Sequence, residues 1–98
     1  MPGSDVQVRR VIVHGRVQGV GYREWTRRMA LRLGLTGWVR NRRDGTVEAV
    51  LEGSADQVRA MTELMRDGPM AAVVNRVEAT DDAIPPGGTD TFDVRSTT

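Results

Sequence analysis

Apolar and β-branched residues crowd positions 6–14, "VQVRRVIVH", and predict a first strand. After "GRVQGVG" at 15–21, Tyr22, Thr26, Met29, Ala30 and Leu33 recur at helical spacing on one face. Gly34 is placed to end that helix in a left-handed conformation. "LTGWVRNRR" (35–43) predicts a second strand. Asp44-Gly45 predicts a two-residue hairpin in which both central positions take positive φ. "TVEAVLEG" (46–53) then alternates Val47, Ala49 and Leu51 against Glu48 and Glu52, as a third strand should. Ser54-x-x-Gln57 forms a capping box that opens a second helix. Val58, Met61, Leu64 and Met65 are its expected apolar stripe, and Gly68-Pro69 its end. "AVVNRVEAT" (72–80) predicts a fourth strand, 81–90 a turn-rich connection, and "TFDVR" (91–95) a short last strand with Phe92 and Val94 on one side.

The order β-α-β-β-α-β plus a short β is the split βαβ, or ferredoxin-like, pattern of an α+β protein. Two helices should cover one face of an antiparallel sheet. Many unrelated functions use this fold, so it does not decide function. With 98 residues, the expectation is one domain over 6–98 behind a flexible, frayed N-terminus at 1–5. Such a domain buries roughly two-thirds of the surface its unfolded chain exposes.

Composition narrows the classes. The net charge is +1, from 14 basic and 13 acidic residues, which gives no electrostatic case for nucleic acid or a membrane surface as main partner. No apolar run approaches the roughly 20 residues of a membrane helix, and "MPGSDVQVRR" lacks the apolar core of a signal peptide. The chain has no cysteine, hence no disulfide framework, thiolate metal site or thiol nucleophile. The expectation is a cytoplasmic monomer.

The chemistry concentrates in "GRVQGVGYR" (15–23). The second helix has a side-chain cap, whereas residues 19–23 offer no Ser, Thr, Asp or Asn to the amides that open the first. A cation at a helix N-terminus, here Arg23, opposes the macrodipole unless an anion lies beside it. Glycines 15, 19 and 21 would let successive N–H groups turn inward as an anion nest, with Arg23 adding a charged fork. The spacing G-x-x-x-G-x-G matches neither G-x-G-x-x-G nor the P-loop, which disfavours a nucleotide. Glycines and one arginine alone fit two readings equally: an anion site, or a tight strand-to-helix turn with a solvated arginine.

A right-handed crossover would make the first two strands parallel and bring Asn41 to the same end of the sheet as the loop. Arg40 and Arg42 share the parity of Trp38, so Asn41 should point to the helix-covered side. An amide there could hold a water against a bound anion. Position alone favours the plainer reading, a polar residue ahead of a hairpin turn.

"GRVQGVGYR" followed by "GWVRNRRDGTVEAVLEG" resembles the acylphosphatase family, over about residues 8–80 and including the "GP" after the second helix. The resemblance implies the ferredoxin-like fold and hydrolysis of the carboxyl–phosphate bond of small acyl phosphates, with no metal or cofactor. It implies Arg23 as the phosphate-binding arginine and Asn41 as the residue that orients the attacking water. The backbone amides of Arg16, Val17, Gln18, Gly19, Val20 and Gly21 would cradle the phosphate, and inorganic phosphate or a similar anion would occupy the same loop. The substrate's own phosphate would take the proton. Tyr22 departs from the phenylalanine more often found there, with little effect expected because the ring is kept. The 81–90 connection is long and is read as slack. Arg16 is expected to face solvent and steer anions. His14 is read as structural, and Asp81-Asp82 and Glu48/Glu52 as solvated turn and strand faces rather than metal ligands.

Two other classes compete. One is a non-catalytic anion-binding or regulatory relative, since similar domains occur inside larger carbamoyl-transfer proteins. The other is an RNA-binding module, which would stack bases on sheet aromatics. The chain has only four aromatics and no matching aromatic strand motif, although strand parity places Trp38 on the open side of the sheet. Arg23 and Asn41 together on one short chain favour the enzyme.

Overall fold

A computed structural model describes residues 6–81 and 90–98. The expected frayed segment at 1–5 and most of the 81–90 connection lie outside the described residues. Seven elements follow one another: β1 (Val6–Arg16), α1 (Tyr22–Arg32), β2 (Thr36–Asn41), β3 (Val47–Ser54), α2 (Ala55–Asp67), β4 (Val73–Thr80) and β5 (Phe92–Val94). They form a five-stranded sheet in the order β4-β1-β3-β2-β5. β1 pairs antiparallel with β3 and β4, and β2 antiparallel with β3. Since β1 and β2 both oppose β3, they run parallel, as the crossover rule requires.

The sheet is not wholly antiparallel, as first expected. β5 pairs parallel with β2, matching Gly37 to Phe92 and Val39 to Val94. Beyond β5 the chain stays beside β2, with Arg95 N–H donating to Val39 and Thr98 N–H to Asn41. The chain re-enters at the far edge of the sheet and runs alongside β2 toward the hairpin.

Alternation decides the two faces. Val11, Val13, Val39, Val47, Ala49 and Leu51 point to the helix side and are buried with Tyr22, Ala30, Val58, Met61 and Met65. Each helix end follows its local chemistry. Leu33 closes α1, and Gly34 at φ 77° lets Gly34 N–H reach Leu31 and Leu35 N–H reach Ala30, a Schellman ending. Ser54 accepts from Gln57 N–H while the Gln57 side chain accepts from Ser54 N–H, completing the capping box.

Three local expectations need correction. On α2 the buried stripe is Val58, Met61, Thr62 and Met65, while Leu64 is 37% exposed. Leu64 sits about 120° around the helix from Val58, which carries it to the rim. At the β2–β3 turn only Gly45 takes positive φ, and Asp44 does not. Gly45 N–H bonds Arg42 and Arg42 N–H bonds Thr46, so the turn has three residues with Gly45 in the left-handed position. Asp44 instead accepts from both the N–H and the hydroxyl of Thr46. That bond secures the turn without left-handed strain on a residue with a Cβ. β1 also continues through Gly15 and Arg16, which belong to the strand and not to the loop. The register shifts at His14/Gly15, and a Cβ on Gly15 would overlap the Val73 carbonyl oxygen.

The helix-free face carries ion pairs. Glu48 is buried rather than solvated, held by Arg10 Nε at 2.6 Å and Arg40 Nε at 2.7 Å. Glu52 is half-buried and accepts from the Thr36 hydroxyl. Trp38 lies on this face but is only 8% exposed, with the guanidinium groups of Arg40 and Arg95 over its ring at 4.6 and 4.8 Å. A ring so covered is a poor stacking platform. His14 and Arg76 both meet Glu78, in keeping with a structural histidine.

Burial alone would raise the Glu48 pKa, but the hydrogen bonds from Arg10 and Arg40 outweigh it and hold the carboxyl below its ordinary value. A depressed folded pKa contributes stability above the unfolded value and loses it as pH falls through the folded one. Glu48→Gln is therefore expected to cost about 1–3 kcal/mol at neutral pH, since the charge-assisted bonds go while the site stays buried. Urea unfolding of the native chain and Glu48→Gln should show the gap widest above about pH 5 and narrowing as the carboxylate protonates. A gap that ignored pH would remove the ion pair from the stability of the sheet.

Candidate active site

A cavity of about 290 Å³ opens where β1, α1, β2 and β5 meet, lined by Val17, Gly19, Gly21, Tyr22, Arg23, Glu24, Asn41 and Val94. The glycine segment leaves the end of β1 and turns directly into α1. Gly21 is the N-cap residue in the left-handed conformation, φ 79° and ψ 18°, and no side chain caps the helix. Trp25 is the first residue to donate into the helical ladder, to the Gly21 carbonyl at 3.1 Å. The amides of Tyr22, Arg23 and Glu24 precede that bond, at the positive end of the helix dipole.

Arg23 is half-buried beside them and makes no ion pair among the described residues. Glu24, one position on, is exposed and bound by Arg27 at 2.7 Å, and that hydrogen bond draws its pKa down. The acid at the rim is thus already neutralised by its own partner, while the arginine is not.

β2 delivers Asn41 as its last residue, on the helix side as strand parity predicted. Asn41 is 9% exposed, and its Oδ1 is buried without a hydrogen-bond partner among the described residues. A buried carbonyl without a donor costs free energy unless a water or ligand supplies one.

The structure gathers Arg23, Asn41, Val17, Gly19 and Gly21 around one cavity. It does not bring Arg16, Gln18 or Val20 to the lining. Arg16 is exposed at the end of β1 paired with Val73, Val20 packs against the core, and Gln18 turns its side chain toward the β2–β3 turn. Val94 went unforeseen as a cavity residue. Its parity with Phe92 was visible, but the parallel docking of β5 on β2 that carries it there was not.

Tyr22 does more than keep the ring of a phenylalanine. Its hydroxyl donates to the Met65 carbonyl at 2.7 Å, and burial pushes the phenol's pKa well up. Met65 lies in the last turn of α2, where carbonyls lack helical donors. The hydroxyl therefore joins the start of α1 to the end of α2. Among the described residues no group of three or more His, Asp or Glu side chains is gathered closely enough to hold a metal ion.

The profile of the acylphosphatase family matches residues 9–94, a span that includes every cavity residue. The chain belongs to the acylphosphatase family. It is 58% identical over 74 residues to the acylphosphatase of Nitrobacter hamburgensis, a match covering 76% of this chain and 75% of that one. Among solved structures, the acylphosphatase from Coxiella burnetii superposes with a TM-score of 0.85 at 38% identity, covering 93% of this chain and 94% of the other. The acylphosphatase from Bacillus subtilis gives 0.83 at 34% identity, covering 93% and 99%. The acylphosphatase likeness therefore extends well past residue 80, where the sequence motifs thin out, and takes in the β5 edge that walls the cavity. Among the described residues no helix is long and apolar enough to cross a membrane.

Proposed function

We propose that the chain is an acylphosphate phosphohydrolase in which the cavity at the start of α1 holds the phosphoryl group and Asn41 holds the water that attacks it. The observation that carries the reading is the unpartnered, buried Oδ1 of Asn41 in the same cavity as the half-buried Arg23 and an uncapped helix start. An acceptor beside an anion site suits a water whose proton it can take in a hydrogen bond, leaving the water's lone pair directed inward.

The loop amides and the Arg23 fork bind the phosphoryl oxygens and stabilise charge that builds there in the transition state. The water oxygen forms a bond to phosphorus. The bond from phosphorus to the acyl oxygen breaks, and its electron pair leaves with the carboxylate. The water's proton goes to a phosphoryl oxygen of the substrate. A carboxylate is a good leaving group, so no general acid is required, and positioning with electrostatic stabilisation carries the rate. Inorganic phosphate is both product and competing anion. The working unit we propose is a single copy acting in the cytoplasm, in keeping with a chain free of cysteine.

Hydrolysis of benzoyl phosphate by the purified protein, with EDTA present, tests the reading. Turnover should persist in EDTA, and inorganic phosphate should inhibit competitively. A folded protein that binds phosphate without hydrolysing the acyl phosphate would instead be a non-catalytic anion-binding relative. Loss of turnover in EDTA, restored by a divalent cation, would overturn the metal-free mechanism.

A further inference from the structure

The proposed mechanism uses the backbone of the loop but no side chain from Gln18. That side chain is part-buried, and its Nε2 donates to the Arg42 carbonyl at 2.7 Å and to the Thr46 carbonyl at 2.9 Å. These carbonyls belong to the two residues that close the base of the β2–β3 turn, where Arg42 N–H bonds Thr46. Each carbonyl already accepts one backbone bond, Arg42 from Gly45 and Thr46 from Arg42. The Gln18 amide occupies the second lone pair of each, using both of its protons. Asn41 is the residue immediately before Arg42 and the last of β2.

We propose that Gln18 is a positioning residue for hydrolysis: its carboxamide fixes the strand end that carries Asn41 relative to the glycine segment that holds the phosphoryl group. The inference rests on the roles proposed above for Arg23 and Asn41. The physical need is clear from the fold. The glycine segment follows β1, and Asn41 ends β2, with β3 lying between those strands in the sheet. The backbone therefore does not pair the two sides of the site directly. One planar amide bonded to both sides of the turn supplies that link. A water must lie in line with the bond that breaks, and a shift of about 1 Å can lower turnover roughly 10²-fold. Glutamate would turn acceptor oxygens toward two carbonyls. Asparagine would fall one methylene short.

A merely structural brace and a positioning residue predict different kinetics. Because both carbonyls keep one bond, Gln18→Met should fold, and Gln18→Asn serves the same comparison should it not. Turnover and KM with benzoyl phosphate, inhibition by inorganic phosphate and thermal unfolding are measured for Gln18→Met, Asn41→Ala and the double variant. Gln18→Met is expected to lower kcat about 10-fold or more while phosphate inhibition changes by less than about 3-fold. The double variant should be no more than about two-fold slower than Asn41→Ala alone, because Gln18 acts through Asn41. A native kcat in Gln18→Met, losses that multiply in the double variant, or phosphate affinity falling in step with kcat would each overturn the inference. The underlying reading fails in a different arm, through an Asn41→Ala variant that turns over like the native chain.

Discussion

Replacing Arg23 with alanine is expected to abolish measurable turnover and to weaken inhibition by inorganic phosphate sharply. The guanidinium stands half-buried at the positive end of α1, beside uncapped amides, with no carboxylate partner among the described residues. In the free protein that position is unfavourable, by about 0.3–1 kcal/mol for a charge at a helix end. With a phosphoryl group bound, the same charge completes a fork of donors around it. Losing a donor of this kind costs about 10²–10³ in turnover even where the donor is neutral, and a charge-assisted bond is stronger. Arg23→Lys should recover only part of the loss, since an ammonium keeps the charge but not the planar pair of donors. Thermal unfolding supplies the independent check. Arg23→Ala should be at least as stable as the native chain, because an unpaired cation has left the dipole's positive end. Retained turnover would take Arg23 out of the mechanism.

Asn41→Ala is expected to lower turnover by about 10²-fold or more, the scale of losing a positioned polar group in the transition state. Inhibition by phosphate should change much less, because the amides and Arg23 remain. The split between turnover and anion affinity separates the roles. If affinity collapsed with turnover, Asn41 would be a ligand of the anion or a support for the cavity rather than the holder of a water. The unpartnered Oδ1 makes the stability outcome informative too. Truncation removes a buried acceptor that lacks a donor, so it should not carry the penalty of breaking a satisfied network.

Much of this architecture was legible locally. The capping box at Ser54 and Gln57, the glycine that closes α1 and the missing cap at its start are all written within a few residues of one another. So is the parity argument that turned Asn41 toward the helices, because alternation along a strand needs no knowledge of its neighbours. The acylphosphatase motifs gave the family and singled out Arg23 and Asn41 together.

Where local reasoning failed, a distant partner intervened. Leu64 looked apolar enough for the core, but the angular position of α2 against the sheet favoured Thr62. Glu48 alternated like a solvated strand residue, yet Arg10 and Arg40 on the neighbouring strands close over it. Asp44-Gly45 carried the dipeptide of a two-residue turn, but the Asp44 bond to Thr46 selected a three-residue one.

By itself, then, the sequence determined the order of elements, the faces of the strands and the helix ends. These depend on backbone sterics and on periodicity, which act over a few positions. The tertiary structure alone decided how the cavity is closed. The parallel docking of β5 brings Val94 to the cavity, Tyr22 reaches Met65 across 43 positions, and Gln18 reaches Arg42 and Thr46 across 24 and 28. Each is a hydrogen bond or packing contact between segments far apart in the chain. Such contacts exist only once the sheet has assembled, so no local pattern records them.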